Sequence, residues 1–227
     1  MFADVPDTYD LVNRLVTFRR DEAWRSMAAR RILRDGPKLV LDLGCGTGDL
    51  FRYLGRGLGD GKRVVGADFS APMLQAARRK VLAAGIGQQV RLVCADAADL
   101  SFPDDSFDAV GLAFSFRNLV WRNPHRDRYL AEIHRVLRPG GKVVIVESSR
   151  PRWRPMGVVF DGYLRLVVPV VGGWLSGARG AYRYLSESAR SFHSPEELSS
   201  LLSEAGFRRV GFRRLLGGVA GLHEAQK

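Results

Sequence analysis

Apolar residues recur along this chain in two rhythms. Short unbroken runs, bounded by glycine or aspartate, alternate with longer stretches whose apolar positions lie three and four apart. The runs 39–43, 63–67, 90–94, 107–114 and 142–147 read as buried parallel strands covered on both faces. The stretches 51–58, 73–84 and 125–137 between them read as helices. Ser70-Ala71-Pro72 supplies a cap and a first-turn proline for the second of these. Ser194, with Glu197 three residues later, predicts a capping box on a helix that closes at Gly206. Two further strands, near 207–215 and 218–224, then close the sheet's edge. Repeated strand–helix units predict an α/β Rossmann-like fold, a seven-stranded, mainly parallel sheet with helices on both faces.

Two segments break the rhythm. Residues 7–18 place Leu11, Leu15 and Phe18 at helical spacing, and a second helix over 22–33 stops at Asp35-Gly36-Pro37. This pair, within residues 1–36, is expected outside the sheet as a lid. In residues 150–190, Arg150, Arg152 and Arg154 interleave with Trp153 and Pro155 ahead of an apolar stretch over 156–175. That segment reads as an inserted helical cover or as a lid facing a membrane. Asp161 and Arg165 interrupt the stretch and Pro169 follows, so it falls short of a spanning helix. The first thirty residues have no continuous apolar core, so no signal peptide is expected. The whole of 1–227 is then one domain, cytoplasmic, with peripheral membrane contact left open.

The first strand carries the most specific chemistry. Leu39-Val40-Leu41-Asp42-Leu43 runs into Gly44-Cys45-Gly46-Thr47-Gly48-Asp49. Glycines at alternate positions let the backbone turn sharply and approach a ligand, and the next helix points its first N–H groups at the same place. A dinucleotide fingerprint has glycine at its sixth position, where this chain has Asp49. A carboxylate there repels a pyrophosphate and tolerates a cationic amino group. The second strand ends at Asp68, placed to accept from ribose hydroxyls. Together these features imply a nucleoside with an amino-acid tail, S-adenosylmethionine, with a nicotinamide cofactor as the alternative. Asp96, at the end of the third strand, is placed for an adenine amino group or for an Asx turn. The candidate cofactor set is Asp42, Gly44, Cys45, Gly46, Gly48, Asp68, Phe69, Met73, Asp96, Ala97 and Ala113.

Charge adds one complication. The net charge is +11, of which residues 150–227 carry +6 and residues 1–149 carry +5. The C-terminal third is therefore suited to an anionic membrane surface or nucleic acid, or else simply presents solvated basic faces. No aromatic stacking platform or nucleic-acid motif supports the second option. Arg78, Arg79 and Lys80 read as a solvated helix face. Cys45 and Cys94 form no disulfide framework and read as small buried thiols. The scattered histidines make no metal signature, and His134 reads as packed on a helix flank.

Beyond the glycine turn, the chain shows Tyr9-Asp10-Leu11-Val12-Asn13 with Trp24-Arg25 behind it, and Phe114-Ser115-Phe116-Arg117-Asn118. It also has Val136-Leu137-Arg138-Pro139-Gly140-Gly141, Tyr182-Arg183-Tyr184-Leu185 followed by Ser188, Gly218-Val219-Ala220, and Leu222-His223. In this order the set resembles the ubiquinone/menaquinone biosynthesis C-methyltransferases over nearly the whole chain. The resemblance implies a class I S-adenosylmethionine-dependent methyltransferase fold and ring-carbon methylation of a prenylated benzoquinol or naphthoquinol. Three departures from the family pattern stand out: Phe51 and Ala113, where hydroxyl residues are common, and the pair Ser115-Phe116 within the Arg-Asn motif.

Such a reaction needs a fixed cation or donors for a developing phenolate, and a path for protons. Arg117 offers charge and a donor fork, Asn118 can orient a quinol oxygen or a water, and Tyr9 can complete the network from the lid. Arginine stays protonated, so water or the quinol's own ionisation is expected to take the proton. The apolar stretch 158–174 is expected to line a channel for the prenyl tail, with the arginines around Trp153 on lipid headgroups. A homodimer stays an open option. Two other classes remain: a methyltransferase for another lipid or small phenol, and a non-catalytic S-adenosylmethionine- or RNA-binding protein.

Overall fold

The computed structural model describes residues 6–59 and 61–227, so residues 1–5 of the expected lid and Asp60 lie outside it. Helix α1 spans Pro6–Val16 and α2 spans Arg20–Leu33, joined by Phe18 and Arg19 in left-handed conformation. Strand β1 (Leu39–Leu43) leads through the glycine turn to α3 (Phe51–Gly57), and β2 (Arg63–Asp68) leads to α4 (Ala71–Ala83). Then come β3 (Val90–Cys94), β4 (Phe107–Ala113), α5 (Phe116–Val120) and α6 (Arg126–Val136). Strand β5 covers Leu137–Ser148, followed by α7 (Arg154–Ser176), α8 (Arg179–Arg190) and α9 (Pro195–Glu204). Strands β6 (Arg208–Leu215) and β7 (Ala220–Gln226) complete the chain.

The strands form one seven-stranded sheet in the order β3-β2-β1-β4-β5-β7-β6, and β7 alone runs against its neighbours. The strand order reverses between β1 and β4, the place where open α/β sheets bind ligands beyond their carboxyl ends. Successive strand residues face opposite cores. Leu41, Val65 and Val110 point into a cluster with Leu130 and Ile133 of α6 and Leu198 of α9. Val40, Val64 and Ala109 point into a cluster with Ile32 of α2, Leu54 of α3 and Ala77 of α4. This period-two split makes the runs apolar throughout.

Several elements depart from expectation. Helix α2 is a sheet-covering helix, with Trp24, Ala28 and Ile32 buried against the strands, so only α1 is lid-like. Gly111 makes that approach possible, because a Cβ there would come within 2.7 Å of the Ile32 side chain. The expected 115–119 loop contains the short helix α5. Arg138–Gly141 is a bulge within β5: Phe107 pairs with Leu137 and Ala109 with Lys142. Cys94 is exposed, because β3 is the sheet's edge strand. The 156–175 stretch is not broken at Pro169. It lies within the continuous 23-residue α7, at the loss of a backbone hydrogen bond, and α7 is long and apolar enough by length and composition to cross a membrane. The capping box forms as expected: the Ser194 hydroxyl accepts from the Glu197 N–H at 3.3 Å, and the Glu197 carboxylate accepts from the Ser194 N–H at 2.7 Å.

Candidate active site

At the carboxyl end of β1 the Gly44 and Cys45 N–H groups donate to the Ala67 carbonyl at 2.8 and 3.1 Å. These bonds lash the glycine turn to β2. Gly44 has φ +67°, and a Cβ there would sit 2.5 Å from the Ser115 Cβ, so only glycine fits. The Ser115 hydroxyl in turn donates to the Leu43 carbonyl at 2.8 Å, tying the end of β4 to β1. Asp68 accepts from the Gly46 N–H at 2.8 Å and the Ser70 N–H at 2.9 Å, which fixes its carboxylate against the turn. Burial raises its pKa, with these backbone donors pulling the other way.

These groups rim a cavity of about 350 Å³. Of the predicted cofactor residues, Asp42, Gly44, Cys45, Gly46, Asp68, Phe69, Met73, Asp96, Ala97 and Ala113 line it. Gly48 does not: it sits behind the turn, where a Cβ would press within 2.7 Å of the Phe51 ring. Asp49 lines the cavity, yet its carboxylate is already held by Lys80 at 2.5 Å and lies 3.8 Å from Arg14. Asp42 fills the cationic-partner role better. It is 1% exposed, its Oδ2 has no hydrogen-bond partner among the described residues, and burial pushes its pKa up to about 8. The Arg25 charge opposes that rise and Asp68 adds to it. A buried, orphaned carboxyl oxygen at the cavity wall suits an ammonium group. S-adenosylmethionine thus fits: Asp42 would hold its amino group, Arg25 its carboxylate and Asp68 its ribose, while Met73, Ala97 and Leu119 line the apolar remainder.

A second cavity, of about 440 Å³, lies on the other side of Phe114. Tyr9, Arg25 and Phe114 line both. Phe114 has φ +64°, a region disfavoured for a bulky side chain, and its N–H donates to Val146 at 2.8 Å. Its ring faces Trp24 at 6.2 Å between centroids, and the Arg25 guanidinium lies 4.9 Å from the ring centre. The rest of the second cavity is mainly aliphatic and aromatic, supplied by α1, α7 and α8 through residues such as Val16, Phe160, Leu164, Val168 and Leu185.

The predicted catalytic residues divide between the two spaces. Arg117 lines the apolar cavity and not the cofactor cavity. It is 5% exposed, its guanidinium lies 3.1 Å from the Glu147 carboxylate and against the Ser148 hydroxyl, and its Nε has no partner among the described residues. Asn118 lines the cofactor cavity instead, because α5 turns it away from Arg117, so it stands apart from the expected quinol-orienting position. Tyr9 lies where the two cavities meet. Burial raises its pKa, opposed by the Asn13 hydrogen bond and by the Arg25 and Arg117 charges, so at neutral pH it is a phenol that can donate.

Lys80 is not on a solvated face. Its ammonium lies 2.5 Å from both Asp10 and Asp49 and donates to the Thr47 hydroxyl at 2.9 Å. Thr47 donates on to Asp10 at 2.6 Å. This knot fastens α1 over the glycine turn. The residue given no role in the sequence is Arg25, quoted there only as part of a motif. It is 6% exposed and paired with Asp21 one helical turn earlier, and Asp21 also accepts from Thr17 at 2.7 Å. The Asp21–Arg25 spacing was the available signal. Among the positions departing from the family pattern, Phe51 and Phe116 are core residues and only Ala113 and Ser115 reach a cavity.

A doubly wound sheet with an acidic-ended second strand, a glycine turn and a cavity at the strand-order reversal defines a class I S-adenosylmethionine-dependent methyltransferase. A methyltransferase structure from Aquifex aeolicus shares this fold, with a TM-score of 0.61 and 23% identity over 87% of this chain and 88% of that one. More particularly, the chain belongs to the ubiE/COQ5 methyltransferase family, whose profile matches residues 1–227. It is 45% identical to the demethylmenaquinone methyltransferase of Thermus thermophilus, covering 98% of each chain. It is 37% identical to the ubiquinone/menaquinone biosynthesis C-methyltransferase UbiE of Geobacter sulfurreducens, over 100% of this chain and 87% of the relative.

Proposed function

We propose that the chain methylates a ring carbon of reduced demethylmenaquinol, a naphthoquinol with a prenyl tail. The observation that carries this reading is the pair of cavities meeting at Tyr9, Arg25 and Phe114, the more polar one, with Asp42 and Asp68 on its wall, fitted to the donor and the more apolar one to a greasy acceptor. Both relatives are named for menaquinone and only one of them also for ubiquinone, which favours the naphthoquinol over the benzoquinol.

When bound, S-adenosylmethionine supplies a methyl group on a positively charged sulfur. The acceptor must bring the electrons. A quinone ring is electrophilic, so the reduced quinol is the nucleophile, and release of a phenolic proton makes the neighbouring ring carbon enolate-like. Arg117 stands as a fixed positive charge beside the apolar cavity, and such preorganised charge stabilises a developing phenolate. Tyr9 donates from the lid side. The guanidinium groups cannot take the phenolic proton, so it passes to water. The ring carbon that gains the methyl then gives up its own hydrogen as a proton, the ring becomes aromatic again and the phenolate oxygen is reprotonated, so that one proton is released overall. The helices α1, α7 and α8 wrap the ring in apolar side chains and exclude solvent. Holding donor and acceptor together in such a space supplies roughly 7–11 kcal/mol.

The test is mass spectrometry of quinones incubated with isotopically labelled S-adenosylmethionine and a reductant. Labelled menaquinol formed from demethylmenaquinol, and none without the reductant, is the expected result. Methylation confined to unprenylated phenols or sterols would overturn it.

A further inference from the structure

Helix α7 buries little of its surface, and what it leaves open is apolar. Val159, Leu166, Val170 and Trp174 follow one another at helical spacing and are all exposed, Trp174 at 83%. Helix α1 adds Leu11 and Leu15, and Phe18 follows at its end, likewise exposed. The two helices are joined there: the Tyr163 hydroxyl donates to the Val16 carbonyl at 2.8 Å, and the Phe18 and Tyr163 rings lie 6.0 Å apart. The two helices thus present exposed apolar side chains on either side of that junction, a clustering that soluble surfaces rarely leave without a purpose.

Its border is cationic. Arg152 and Arg154 flank the exposed Trp153 at one end of α7, Arg165 stands beside Leu166, and Arg179 follows the other end. All four arginines are exposed and none has an ion pair among the described residues. The apolar cavity also reaches this face, because the exposed Phe18, Val159 and Leu216 line it.

We propose that the α1/α7 face docks on the anionic surface of a lipid bilayer, with the cavity mouth opening into the acyl layer. Apolar and aromatic side chains on one face with arginines around them match the chemistry of helices that lie in a membrane interface. A spanning role for α7 is ruled out by its other side. Gly172 is packed on the Tyr182 ring, and Asp161 is paired with Arg190 of α8. The proposal rests on the quinol reading for its purpose: an acceptor with a long prenyl tail resides in the bilayer and enters without crossing water.

Co-sedimentation of the full chain with vesicles tests this. With about 30% phosphatidylglycerol in phosphatidylcholine, at about 0.1 M salt, the protein pellets; with phosphatidylcholine alone it stays in solution, and raising the salt releases it. The triple change Leu166→Ser, Val170→Ser, Trp174→Ser, at exposed positions outside both cavities, weakens vesicle binding at least ~10-fold. It leaves turnover of a short-tailed, water-soluble quinol unchanged, which also shows that the variant folds. Arg152→Glu with Arg165→Glu weakens binding at low salt only. Equal binding of both vesicle types, or no effect of the triple change, overturns the proposal. So does a stable dimer that the triple change converts to monomer without altering vesicle affinity, since a second copy would then cover the face. Vesicle binding without quinol methylation would remove the function reading and leave the docking surface standing.

Discussion

Lys80 lies 2.5 Å from Asp10, and that contact spans from α4 to α1 across the glycine turn. The same ammonium holds Asp49, so the lid and the cofactor turn share one cation. Neither Lys80 nor Asp10 is deeply buried, with side-chain exposures of 35% and 15%, so the pair's worth is discounted by solvent. Asp10→Asn should loosen α1 and reduce S-adenosylmethionine affinity ~3–10-fold, with a smaller effect on melting temperature. Titration calorimetry and limited proteolysis of 6–19 measure the two effects, and unchanged affinity would show that α1 closes without this contact.

Arg117 borders only the acceptor cavity, so its loss should act on turnover. Arg117→Ala is expected to lower kcat by ~10²–10³ while S-adenosylmethionine binding shifts less than about threefold. Glu147, 1% exposed, is left as an unpaired buried charge in that variant, so a stability loss of about 3–5 kcal/mol accompanies it. Arg117→Lys keeps the charge and separates the two effects. An equal fall in cofactor affinity would make Arg117 a structural residue instead.

Asp42 makes cofactor binding sensitive to pH. Its carboxyl is held protonated up to about pH 8 in the free protein, whereas an ammonium partner requires the carboxylate. Binding near neutral pH should therefore release a proton, and affinity should rise with pH toward 8 by up to ~10-fold per unit and stop rising beyond it, where the ligand's own ammonium gives up its proton. For stability the sign is opposite. The folded-state pKa is raised, so the free protein is most stable below the unfolded carboxylate range and loses that contribution as pH rises toward 8. Calorimetry in buffers of differing ionisation enthalpy reads the proton, and Asp42→Asn should abolish both slopes.

The contact between Gly172 of α7 and Tyr182 of α8 should tolerate no side chain. A Cβ at 172 would lie 2.2 Å from the Tyr182 ring, and Tyr182 is fully buried. Gly172→Ala is expected to cost ~1–3 kcal/mol despite alanine's better helix propensity. Urea denaturation measures it, and a neutral result would mean that α8 slides freely on α7.

How much of this was legible beforehand depends on whether a residue's role is local. The glycine turn, Asp68 and the Ser194 box are set by backbone geometry within a few residues, so spacing reveals them. Arg25 is different: its placement between two cavities comes from α2 lying on Gly111, a contact between segments far apart in sequence. Lys80 sat in a run of cations, of which spacing alone could not say which one turns inward. Helix α5, at five residues, is too short for any periodicity to register. Asn118 and Arg117 form one motif in the sequence yet border different cavities, because a helical turn sends adjacent side chains to different faces.

The positive φ at Phe114 governs how this enzyme can diverge. Trimming that ring to admit a bulkier acceptor head would ordinarily call for valine or isoleucine, yet β-branched residues are the least tolerant of a left-handed backbone. Glycine or asparagine would be accepted, and each removes the aromatic partition at a stroke. The width of the opening between methyl donor and acceptor is therefore adjustable in jumps rather than by degrees.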